Sequence, residues 1–234
     1  MGWRNPPIPW SELERRLSGR PADADGGDSP AWSNQRGAYQ APVVATTPRP
    51  AGAVPTPYAE LHCHSNFSFL DGASHPEELV EEAARLGLEA LALTDHDGVY
   101  GVVRFAEAAA ALGMPTVFGS ELTLELPRRL QSGVADPEGV HLVVLARDPQ
   151  GYADLCRAVS AAHMAGREKG LPRTDLATLA GFAGCGDQHR GHWQVLTGCR
   201  KGTVPAALSR SGPAAAAAEL ARLVDAFGRD NVAV

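Results

Sequence analysis

Past residue 57 the chain repeats one pattern, a short apolar run followed by a longer helix-forming segment, and this alternation limits it to a few architectures. Tyr58 to Cys63, Ala90 to Thr94, Thr116 to Leu124, Val140 to Ala146 and Gln194 to Thr197 read as strands bounded by turn residues. Helices are predicted between them. One runs from His75 to Leu86, with Ser74 as N-cap, Glu77 at capping-box spacing and Gly87 as the stop. Val99 to Leu112 ends at Gly113, Tyr152 to Met164 follows Asp148 and Pro149, and Ala214 to Phe227 is alanine-rich. Such alternation gives an α/β fold of parallel strands covered by helices, as an open sheet or a barrel. The final DNVAV reads as a strand that is cut off, so the chain is expected to be a fragment of something longer.

The first 57 residues differ in kind. They hold 10 of the 18 prolines, in stretches such as GRPADADGGDSP that cannot bury enough apolar surface to offset ordering entropy. Residues 1–56 are therefore expected to be a largely flexible extension, with one short helix at 10–18, where Ser11 and Glu14 have capping-box spacing. Residues 57–234 are expected to form the folded domain. No apolar run approaches the roughly 18 residues of a membrane helix, and the N-terminus lacks the apolar centre of a secretory signal, which predicts a cytoplasmic protein. The 4 cysteines form no CxxC pair, so neither a disulfide framework nor a zinc finger is suggested. A net charge of -6 argues against a simple basic nucleic-acid surface.

Within the first strand the sequence reads ELHCHSNFSFLDG. Side chains alternate across a strand, so His62 and His64 share a face, roughly 7 Å apart at their origins, while Cys63 points to the other. Two imidazoles so placed can share a metal or hold two neighbouring ones. Other strand ends carry the same chemistry. LALTDHDG places Asp95, His96 and Asp97 at the end of the second strand, VFGSELTLEL carries Glu121, GVHLVVLA opens with His141, and LTGCRKG brings Cys199. These are ligand types for zinc and for harder divalent ions such as manganese.

HCHSNFSFLDG, ALTDHDGVYG, GSELTL, HLVVLA and LTGCRKG together resemble the PHP (polymerase and histidinol phosphatase) domain, and in wording the N-terminal PHP domain of bacterial C-family error-prone DNA polymerases. The resemblance covers about residues 57 to 234. It implies a distorted (β/α)7 barrel, here truncated at the C-terminus, with up to three divalent metal ions, zinc or manganese, at its carboxyl rim. The ligands it implies are His62, His64, Asp71, His96, Glu121, His141 and Cys199, with further ligands on a later strand beyond Val234.

In catalysis the resemblance implies that Glu121 bridges metals and Asp95 orients a liganded imidazole. The activity implied is metal-dependent hydrolysis of a phosphoester, in polymerases a 3′ to 5′ exonuclease. DNA, through the longer polymerase, and mutagenesis-complex proteins are the implied partners. A stand-alone phosphoesterase of the histidinol phosphatase type and a metal-braced structural module remain alternatives.

The other candidates have plainer readings. Asp97, ahead of Gly98, reads as a helix N-cap. Asp71 suits a turn as well as a ligand. His75 reads as solvated, His163 as a residue near a helix C-terminus, and His189 with His192 as part of a polar connection. Cys63 and Cys156 read as small core residues and Cys185 as a loop thiol. Arg200 and Lys201 could meet phosphate or simply be solvated.

Overall fold

The computed structural model describes residues 39–46, 56–124, 139–167, 170–184 and 191–234. The expected helix at 10–18, most of the expected extension, Cys185 and His189 lie outside the described residues. In chain order the elements are β1 (Ala59–Glu60), α1 (Pro76–Leu86), β2 (Ala90–Leu93), α2 (Val102–Leu112), β3 (Thr116–Leu124), β4 (Val140–Ala146) and α3 (Pro149–Gly166). They continue with α4 (Leu176–Phe182), β5 (Trp193–Leu196), α5 (Thr203–Ser211), α6 (Pro213–Phe227), a 3₁₀ turn at Arg229–Asn231 and β6 (Val232–Ala233). The α/β class is as expected. All six strands join one sheet in sequential order, β1 to β6.

The expectation of parallel strands needs correcting at β4. It pairs antiparallel with both β3 and β5, while the pairs β1–β2, β2–β3 and β5–β6 are parallel. A parallel neighbour needs a crossover, whereas an antiparallel one can be reached by a loop. Between β4 and β5 the chain doubles back beside α3, with the Arg173 amide donating to the Ala162 carbonyl at 2.9 Å. A second helix, α4, which the sequence pattern does not predict, comes next, and α5 comes after β5. The reversal matters for the site: the start of β4, not its end, lies beside the end of β3.

Alternation along β4 separates core from site. Leu142 and Val144 join the main core with Leu122, Leu124, Leu155, Leu179, Trp193 and Phe227. Val143 and Leu145 pack on the other face with Ala92. His141 has the same parity as that second set, so it belongs to the inner face.

Helix starts obey local chemistry. Pro76 occupies the first helical position of α1, where its missing amide costs nothing, so the cap falls on His75 rather than Ser74. Glu78, not Glu77, reaches back to the His75 amide at 2.8 Å. Asp148 caps α3 by accepting from the Gly151 amide at 2.7 Å, with Pro149 next, which starts that helix earlier than its apolar spacing suggests.

Candidate metal centre

Backbone pairing that runs past the ends of the short strands brings the polar residues to one line across the sheet. Beyond β1, the Thr94 amide donates to the Cys63 carbonyl at 2.8 Å. Beyond β2, His96 bridges in parallel to Glu121, and the Asp97 amide donates to the Glu121 carbonyl at 2.9 Å. In β3, Thr123 stands opposite His141 of β4. His62, His64, His96, Glu121 and His141 therefore arrive together by register, although they are spread over four segments.

Glu121 is the hub. It is 1% exposed, and four imidazoles face it. His62 Nε2 and His64 Nε2 lie 2.9 and 2.7 Å from its Oε2, His96 Nδ1 lies 3.7 Å from the same oxygen, and His141 Nδ1 lies 3.1 Å from Oε1. Asp71 forms a second acidic point, its Oδ2 at 2.5 Å from His64 Nδ1 and 3.3 Å from His96 Nε2. Neighbouring ring centroids are 5.0, 4.4 and 5.1 Å apart along His62, His64, His96 and His141. These donors form three groups, each with ligand atoms within 4.8 Å of one another: His62, His64 and Glu121; His64, Asp71 and His96; His96, Glu121 and His141. Each group shares one residue with each of the others.

The charges respond to this crowding. Burial works against ionisation of Glu121, but the hydrogen bonds with His141 and His62 and the close approach of His64 outweigh it and hold the carboxyl far below the usual range. Burial likewise opposes charge on His64 and Asp71, but Glu121 first and Asp71 next raise His64, and His64 lowers Asp71. His96 is pushed the other way, by burial and then by His64, towards the neutral form that ligates metal.

The donor set fits divalent cations. His64 Nε2 is near Glu121 but not in hydrogen-bonding orientation, and both it and His96 Nδ1 are buried without a hydrogen-bond partner. Buried ring nitrogens in that state cost free energy unless something else takes their lone pairs. Four imidazoles and two carboxylates are the donors zinc and manganese use.

Of the seven expected ligands, six fall into the three groups and Cys199 does not. Cys199 is exposed on the loop after β5. That loop docks at the start of β4, with His141 donating its amide to the Lys201 carbonyl at 2.9 Å. Asp95 is buried, as a supporting residue should be, but its carboxylate reaches no imidazole: it accepts from the Ser65 amide, the Ser65 hydroxyl and the Ser68 hydroxyl, each at 2.7 Å. Ser68 in turn accepts from the His96 amide at 3.1 Å. Asp95 thus fixes the loop that carries His64 and Asp71.

Asp97 is not a helix cap, since α2 begins at Val102 behind Gly101. Its backbone is left-handed at φ 48°, and its carboxylate accepts from the Thr123 amide and hydroxyl at 2.8 and 2.7 Å, tying His96 to β3. His163 donates to the Asp97 carbonyl at 2.8 Å, and His75 pairs with Asn66 at 2.8 Å rather than facing only water. His192 lies 2.8 Å from Asp148, away from the rim. Cys63 is half-buried, and burial first, then Glu60 and Asp95, pushes its thiol up to about 11. Ser65, Ser68 and Thr123 give no signal in the sequence because their partners lie some 26 to 30 residues away. A hydroxyl has no periodicity to give it away.

A family model described as the PHP domain matches residues 60–234. The chain belongs to the PHP domain family. Error-prone DNA polymerases of Mycobacterium bovis and Cutibacterium acnes are 56% and 54% identical to it over its whole length. The chain spans about a fifth of these relatives, 21% and 20% of their length. A Nocardia farcinica protein of the same name is 48% identical and is matched over 24% of its length. Among solved structures, a two-domain protein from Bacteroides vulgatus that contains a predicted PHP-like metal-dependent phosphoesterase overlaps 53% of this PHP chain and 37% of its own, at 27% identity and a TM-score of 0.30. So partial a superposition carries no weight.

Proposed function

We propose that this chain is the PHP module of an error-prone DNA polymerase, residues 57–234 behind an extension of residues 1–56, and that its rim cluster hydrolyses phosphodiester bonds at an unpaired DNA 3′ end. Three interlocked donor groups around one buried carboxylate carry the chemical half of this reading. The full-length alignment with error-prone polymerases supports the other half. On it, nucleotidyl transfer belongs to the longer protein, DNA is the substrate, mutagenesis-complex proteins are partners and the cytoplasm is the location.

Up to three zinc or manganese ions held here would lower the pKa of a bound water towards neutrality and neutralise charge on phosphate oxygens. The chain's own residues do the rest. Glu121 offers Oε2 to the His62–His64 side and Oε1 to His141, so it can bridge two positions from a site closed to solvent. Asp71, exposed at the rim, marks the side from which a phosphate can enter. Asp95 acts at one remove, through Ser65 and Ser68, as a positioning residue.

The test is release of nucleotides from a single-stranded 3′ end by the intact protein in zinc or manganese, beside Glu121→Gln. Activity should fall to background in the variant. Wild-type activity no greater than that of Glu121→Gln in either metal would refute the hydrolytic reading.

A further inference from the structure

The loop carrying Asp71 is built to hold two apolar side chains out at the rim. Ser65 and Ser68 are buried, and both hydroxyls donate to Asp95. From Ser68 the chain turns at once, the amides of Asp71 and Gly72 both donating to the Ser68 carbonyl, at 3.0 and 2.9 Å. Gly72 then passes so close to the start of the loop that a Cβ there would sit 1.9 Å from the Ser65 carbonyl oxygen. The Asn66 amide closes the loop by donating to the Ser74 carbonyl at 2.8 Å. Phe69 and Leu70 are therefore the tip of a turn fastened on both sides, and they are 80% and 64% exposed.

Leu70 also has φ of 67°, a left-handed backbone that leucine avoids and that glycine or asparagine would take at less cost. Neither side chain joins the core of the described residues, and the left-handed backbone of Leu70 stabilises nothing among them. Such features persist where the surroundings over-determine them, characteristically at ligand sites.

We propose that Phe69, held out on the turn it shares with Leu70, is a stacking platform for the terminal base of a single strand whose phosphate lies at the metal centre. This rests on the phosphodiesterase reading above and adds how the substrate is held. Two trans peptide units separate Phe69 from Asp71, so their Cα atoms are at most about 7.6 Å apart, within the span of one nucleotide. A phenylalanine face accepts any base, as an exonuclease end-site must, and needs no basic surface from a chain of net charge -6.

The experiment uses the intact protein and an unpaired tetranucleotide, too short to serve as primer and template, ending either in 2-aminopurine or in an abasic residue. Wild type should quench the aminopurine on binding and should favour the base-bearing end over the abasic end by about 5- to 150-fold in KM. Phe69→Ala should lose the quenching and the preference, its KM for the base-bearing end rising to that for the abasic end. Phe69→Trp should restore both. Phe69 is exposed, so its truncation leaves the core intact. Unchanged quenching and preference in Phe69→Ala would overturn the proposal, and an effect of Phe69→Ala confined to association with another protein surface would do the same. If wild type cleaves neither end, the hydrolytic reading fails while the quenching still decides the stacking.

Discussion

Glu121 keeps its charge in a place where an isolated carboxylate would be protonated. Taking an ion out of water costs several kcal/mol, and the four imidazoles offset that cost only while they face it. Asp95 meets the same problem with serines. Asparagine at 95 would put an NH₂ donor where the Ser65 amide, Ser65 hydroxyl or Ser68 hydroxyl already donates. Asp95→Asn should therefore cost about 1 to 3 kcal/mol in urea unfolding. In a chelator competition it should also weaken metal binding by about 10- to 100-fold, because His64 and Asp71 ride on the loop it holds. Cys199 gives a contrast. Its thiol lies outside all three groups, so its alkylation rate should be the same with and without zinc; protection by zinc would show that its loop closes onto the centre.

At the scale of elements, short strands leave much of the alignment to the segments beyond their ends. β1 has two residues, and the His62–His64 segment is held by pairing between Cys63 and Thr94 instead of by a long strand. The loop from Ser65 to Ser74 is the most demanding piece, because Gly72 meets the Ser65 carbonyl. Gly72→Ala should displace Asp71 and lose the ion it helps hold, with the far-ultraviolet circular dichroism unchanged; full metal content in that variant would show the loop to be more pliant than its contacts indicate. At the other end of the domain, Asp148→Ala should cost about 1 to 2 kcal/mol in unfolding, since it removes the cap of α3. Strands β3 and β4 are legible to the residue, because long apolar runs bounded by turns leave little choice. The direction of β4 is not, for strand direction is set by the path of the connection rather than by the strand's own residues. α4 and α5 escape notice in the sequence because each is short, with 7 and 9 residues, and neither shows a sustained apolar repeat. The convergence of six of the expected ligands is legible from strand ends and resemblance, whereas the partners of Asp95 and Asp97 are hydroxyls far along the chain.

For the whole molecule, the three donor groups tie the segments after β1 and β2 to β3 and β4, so on the proposed reading metal binding stabilises the sheet. A site filled at a hundred times its dissociation constant stabilises the fold by about 2.7 kcal/mol, so chelation should lower the thermal midpoint and zinc or manganese should restore it. The most direct test of the centre is metal stoichiometry, measured by elemental analysis on the folded wild type and six single variants. Because the groups share members, the losses should fall into two classes. His62→Ala, Asp71→Ala and His141→Ala each touch one group and should each lose one ion of three. Glu121→Ala touches two groups through its two carboxylate oxygens and should lose two, whereas a neutral imidazole has one lone pair to give, so His64→Ala and His96→Ala should each lose one. Folded wild-type protein without bound metal, or the same loss in all six variants, would contradict the account of three linked sites.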